Sequence, residues 1–101
     1  MSCLKDAYNY VATKPKQDYY IIHAIVERKS DGLRHPHAVV LHKPTGLILE
    51  VSNTFQEKPL ALPFMIWATM GNISDMKQYT FHEYTSLLLK HKIWDFFHLH
   101  L

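Results

Sequence analysis

The stretch Pro36-His37-Ala38-Val39-Val40-Leu41-His42-Lys43-Pro44-Thr45-Gly46-Leu47-Ile48-Leu49-Glu50-Val51-Ser52 decides how this chain folds. Residues 36–43 and 47–52 read as two strands. Lys43-Pro44-Thr45-Gly46 between them, with proline early and glycine late, reads as a hairpin turn. Asn53-Thr54 then closes the hairpin, and Gln56 to Pro59 reads as loop. An antiparallel pair of this kind brings Glu50 roughly opposite His37 or its neighbours, on one face if the register allows it.

Upstream, Asp18 to Arg28 is rich in Tyr, Ile and Val and reads as a strand. Tyr19, Ile21, His23 and Ile25 share one face; Tyr20, Ile22, Ala24 and Val26 share the other. Both faces are mostly apolar, which predicts a central strand. Lys29-Ser30-Asp31-Gly32 is a turn. Before this strand, Cys3, Ala7, Tyr10 and Val11 recur at helical spacing behind Ser2 as N-cap, which predicts a helix over 2–13. Lys14-Pro15-Lys16 ends it, since the residue before a proline leaves the helical region.

Downstream, Leu60 to Met70 reads as a short, buried helix with Pro63 in its first turn and Gly71 as C-cap. Met76 to Thr80 reads as a short strand. Thr80 and Glu83 form a capping box for a helix over Phe81 to His91 that buries Tyr84, Leu87 and Leu88. Trp67, Trp94, Phe96 and Phe97 read as core aromatics. The predicted order is helix, three-stranded antiparallel sheet, helix, strand, helix, an α+β class, in one domain over 1–101.

The chain has 101 residues, 48% of them hydrophobic and 20% charged. That is an ordinary globular balance with room for one core. Eleven Lys and Arg against nine Asp and Glu leave a net charge of +2 and no dense basic stretch, so nucleic acid is not an expected partner. The Leu60–Met70 apolar run is too short to cross a bilayer. A single cysteine forms no internal disulfide. The first six residues have no apolar core of a signal peptide, and the expected location is the cytoplasm.

Cys3 at a helix start is the sharpest chemical feature. A helix N-terminus favours a thiolate, the reactive form. A histidine in reach would activate the thiol further, and a third group would orient that histidine. His37 and Glu50 fit these roles, with Asn53 as an alternative orienting group. Taken singly, each has a plainer role: Cys3 as a small buried side chain, His37 as a half-buried strand residue, Glu50 as a solvated carboxylate.

Eight histidines are the compositional oddity. His35 and His37 make an H-x-H on one strand face, and His98 and His100 make a second. No acidic cluster accompanies them, and neither a metal nor another cofactor is expected. His23, among Tyr19, Ile21 and Ile25, reads as a core histidine with one hydrogen-bond partner.

Taken in order, Cys3 at its helix start, Ile21-Ile22-His23-Ala24, Pro36-His37-Ala38-Val39-Val40, Ile48-Leu49-Glu50-Val51-Ser52-Asn53 and Lys92-Ile93-Trp94-Asp95 resemble small phage and bacterial proteins of the papain-like fold. Those proteins carry an Asn-Cys helix start, a Val-His-Gly strand, a Gly-His-Ala-Trp-Val strand and a strand ending Ile-Asp-Val-Ser-Asn. The likeness spans nearly the whole chain and rests on the shared order of short motifs. It departs at Ser2 for asparagine, Pro36 for glycine, Val39 for tryptophan and Glu50 for aspartate.

The resemblance implies a minimal papain-like fold with Cys3 as nucleophile, His37 as base and Glu50 as orienting acid. It sets His23 near the cleft as a substrate-lining residue, with His35 and Asn53 in secondary roles. The implied activity is acyl transfer on a protein or peptide substrate, to water as a peptidase or amidase, or to an amine as a transglutaminase. The alternative is an inactive papain-like binding module that modulates a host protein, with the chain virus-encoded and acting in the host cytoplasm.

Overall fold

The computed structural model describes residues 3–52 and 59–100. In chain order, helix α1 (Cys3–Ala12) is followed by a 3-10 turn (Lys16–Asp18), then strands β1 (Tyr19–Glu27), β2 (Arg34–His42), β3 (Leu47–Glu50) and β4 (Leu60–Pro63). Helix α2 (Phe64–Met70), strand β5 (Ser74–Tyr79), helix α3 (Phe81–His91) and a second 3-10 turn (Phe97–His100) complete it. The strands form one antiparallel sheet in the order β4-β3-β2-β1-β5. The class is α+β.

Helices cover both faces of the sheet, as the two apolar faces of β1 require. On one face, Leu4, Ala7 and Val11 of α1 and Tyr84 of α3 pack on Tyr19, Ile21, Ala38 and Val40. On the other, Trp67 of α2 packs on Ile22, Ala24, Val39 and Ile48. Ile21 and Ile22 are consecutive residues, and each is fully enclosed in a different layer. Burial of a side chain of that size contributes about 1.5–3 kcal/mol.

The β2–β3 hairpin forms as its turn chemistry predicts. Gly46 sits at φ +70°, and its N–H reaches the His42 carbonyl at 2.8 Å. The capping box on α3 is also present: Thr80 Oγ1 accepts from the Glu83 N–H, and Glu83 Oε1 accepts from the Thr80 N–H.

The predicted helix over 60–70 is corrected. Leu60–Pro63 is a strand paired with β3, in the register Leu47 to Pro63 through Glu50 to Leu60, and only Phe64–Met70 is helical. Leu62 precedes a proline and so favours extended backbone. Pro63 lies on an outer strand, where its missing N–H costs least, and β4 covers an edge of β3 that would otherwise be bare. The three-stranded sheet therefore becomes five-stranded, with β5 on its far side. Gly71 does cap α2.

The segment is also less buried than its composition predicts, since Met65 and Ile66 stand exposed on α2. The aromatics divide. Phe96 and Phe97 pack in the α1/α3 layer, Trp94 meets Tyr8 edge-on at 5.3 Å while remaining partly exposed, and Trp67 lies on the opposite face. Ser2 as a cap, the Asn53-Thr54 closure and residues 56–58 of the loop lie outside the described residues.

Candidate active site

Cys3 opens α1 and stands beside the first half of β2. Strand β3 pairs only with Val40, Leu41 and His42, so among the described residues the earlier part of β2 has no partner on that side. The Cys3 thiol lies within hydrogen-bonding reach of the His37 ring and of the Ala38 backbone N–H in this stretch.

The sheet register brings His37 and Glu50 together. Val40 faces Leu49 and Leu41 faces Ile48, so Glu50 falls level with Val39, two residues from His37 and on the same face. Diagonal neighbours at that spacing are within reach of long side chains. The His37 Nε2–H donates to Glu50 Oε2 at 2.7 Å, and the same ring is hydrogen-bonded to the Cys3 thiol. Both side chains keep about a fifth of their surface exposed, 20% for His37 and 23% for Glu50, so the pair is reachable from solvent.

Trp67 completes the chain of contacts. Its Nε1–H donates to Glu50 Oε1 at 3.1 Å, and the residue is only 5% exposed. Each oxygen of Glu50 thus has its own donor, His37 on one side and Trp67 on the other, which fixes the carboxylate plane. Sequence reading placed Trp67 in the core and missed this bond. The available signal was that a buried indole N–H needs an acceptor.

The electrostatics of the two reactive groups are linked. Burial pushes the Cys3 thiol up, but a hydrogen bond from His37, the Ala38 N–H, the imidazole charge and the residue's own N–H outweigh it, and the thiol lies below its ordinary value. Burial works in the opposite sense on His37, where it favours the neutral ring. Hydrogen bonds to Cys3 and Glu50, together with the charges of both, overcome it and raise the imidazole to about 9. Both shifts run in the direction that favours a thiolate beside an imidazolium.

The remaining predicted residues are not drawn into this contact chain. The His35 ring centroid is 6.2 Å from that of His37, beside the pair. His23 is fully buried on the α1/α3 side, among Tyr79, Tyr84 and Phe96 at ring-centroid distances of 4.9–5.1 Å. The single hydrogen bond expected of it is not made, since neither ring nitrogen has a partner among the described residues. Burial, with the nearby His98, depresses its pKa to about 3. Asn53 lies outside the described residues. Among those residues, no three His, Cys, Asp or Glu side chains converge on a possible metal position.

No protein-family model matches this chain, and no curated protein or solved structure matches it either.

Proposed function

We propose that the chain is a cysteine-dependent hydrolase or acyl transferase in which Cys3, His37 and Glu50 act as nucleophile, acid–base and orienting acid. The observation that carries this reading is the contact chain Cys3–His37–Glu50, with the thiol lowered and the imidazole raised. The papain-like likeness supports it from the sequence side, since a cysteine at a helix start precedes a histidine and an acid on successive strands.

The chemistry follows from the geometry. The Cys3 thiolate attacks an amide carbonyl, forming a C–S bond as the carbonyl oxygen takes up negative charge. The first N–H groups of a helix have no partner within it, and in this reading those of α1 stabilise that oxyanion. The imidazolium gives its proton to the leaving nitrogen as the C–N bond breaks, leaving a thioester and neutral His37. Water or an amine then attacks the thioester while His37 takes its proton, and Cys3 departs as thiolate. Glu50 holds the ring in the tautomer this cycle needs and stabilises its charged form.

The rival reading, a silent module that modulates a host protein, draws on the exposed Met65 and Ile66 of α2. It leaves the linked titrations of Cys3 and His37 without a use. The test is the rate of Cys3 alkylation by iodoacetamide against pH, in wild type and in His37→Ala. The expected result is a plateau reaching well below the ordinary thiol value of about 8.5, abolished in the variant. An ordinary thiol curve in both proteins would remove the enzyme reading and leave the binding module.

A further inference from the structure

A cleft of about 570 Å³ opens where the segment after α1 meets the β2–β3 turn and the start of α3. That volume lies within the range of small-ligand sites, about 300–1,000 Å³. Lysines from two separate segments line it: Lys14 and Lys16 beyond α1, and Lys43 in the hairpin turn. No acidic residue among the described ones is in its wall. Asp18, the nearest in sequence, meets Lys43 only through its backbone carbonyl, which accepts the Lys43 N–H at 2.8 Å.

The ion pairs among the described residues join Arg28 to Asp31 and His37 to Glu50, and none of these lysines is in one. Each ammonium instead lies over an aromatic ring: Lys14 over Tyr10 at 5.0 Å, Lys16 over Phe81 at 5.2 Å and Lys43 over Tyr20 at 4.4 Å. A ring restrains a lysine without cancelling its charge. Like charges held around one cleft repel each other, and an anion bound between them relieves that repulsion.

We propose that this cleft binds a small diphosphate-bearing molecule, held by Lys14, Lys16 and Lys43. Lysine acts on phosphate as a point charge with several donors. A single phosphate group carries about −1.5 to −2 at neutral pH, less than the three ammoniums here balance, and a second phosphate completes the match. Gln17 and Thr80 line the same cleft with neutral hydrogen-bonding groups, and His82 adds a ring nitrogen. The charges line a cleft and not a flat face, which suits a small soluble molecule over a lipid surface. Helix α1 is ten residues long, about 15 Å, with Cys3 at one end and Lys14 just past the other. The site therefore stands apart from the chemistry proposed at Cys3.

The test titrates the full chain with inorganic pyrophosphate, and separately with orthophosphate, at constant ionic strength. Backbone amide shifts are followed by NMR. Pyrophosphate is expected to saturate, with the largest shifts at Lys14, Lys16, Lys43 and His82, and to bind about tenfold tighter than orthophosphate, the worth of one further charge-assisted hydrogen bond. Lys16→Gln and Lys43→Gln keep most of the side chain and remove the charge from different segments. Each is expected to weaken pyrophosphate about tenfold, with the rest of the spectrum unchanged. Lys90→Gln, a lysine lining a different cleft, is expected to bind as wild type does.

A titration that does not saturate overturns the proposal, as do shifts spread over lysines throughout the chain. Lys90→Gln weakening binding as much as Lys16→Gln does would reduce the effect to net charge and overturn it too. Capture of the chain by phosphatidylserine vesicles, with no saturable pyrophosphate binding, would replace the small ligand by a membrane surface.

Discussion

At the scale of single residues, the fixed point is the pair of bonds on Glu50. Its charge and its bond to His37 both hold the imidazole up, after burial has worked against it. Glu50→Gln keeps an acceptor but removes the charge. The His37 titration, followed by NMR of the ring protons, is expected to fall from about 9 toward the ordinary value of about 6.5. An unmoved midpoint would mean that Glu50 does not act on the ring. Cys3, His37 and Glu50 were legible in the sequence because local signals place each of them: a helix start, a strand and the arm of a hairpin with a well-marked turn. Trp67 was not, because its acceptor depends on where α2 lands on the sheet. That His23 has no hydrogen-bond partner among the described residues was equally hidden, since a core position says nothing about whether a polar group lies opposite.

At the scale of elements, the capping box on α3 gives the cleanest check on local energetics. Thr80→Ala removes the acceptor for the Glu83 N–H, and loss of such a cap costs about 1 kcal/mol. A matching drop in stability is expected from denaturant titration; a change below a few tenths of a kcal/mol would show that the cap contributes nothing. This helix was readable to its ends because cap and apolar spacing agree. The Leu60–Met70 stretch was not. Its apolar residues run on without a clear period, and such runs do not separate strand from helix. Its first four residues pair with the outer edge of β3, a contact decided by tertiary structure. The strand so formed carries Leu60 and Leu62, which line a cleft beside His37 and Glu50.

At the scale of the whole molecule, two histidines on opposite sides of the sheet make stability depend on pH in opposite senses. His23 is neutral when folded, at about 3, and would titrate near 6.5 when unfolded. Its protonation therefore favours the unfolded chain. The stability it preserves above pH 6.5 is lost as pH falls toward 3, at roughly 1.4 kcal/mol per pH unit. His37, raised to about 9, does the reverse: its contribution is complete below about 6.5 and is lost as pH rises through 9. His23→Phe, which suits the surrounding rings of Tyr79, Tyr84 and Phe96, is expected to flatten the acid limb of a stability–pH curve by about one proton. An acid limb as steep as that of wild type would show that His23 is not the group being charged. The central claim is that Cys3 and His37 form an ion pair at neutral pH, and the ultraviolet absorbance of the thiolate measures it without any substrate. Titrated in wild type and in His37→Ala, the absorbance is predicted to persist well below the ordinary thiol midpoint of about 8.5 in wild type alone. A midpoint near that value in both proteins would contradict the claim.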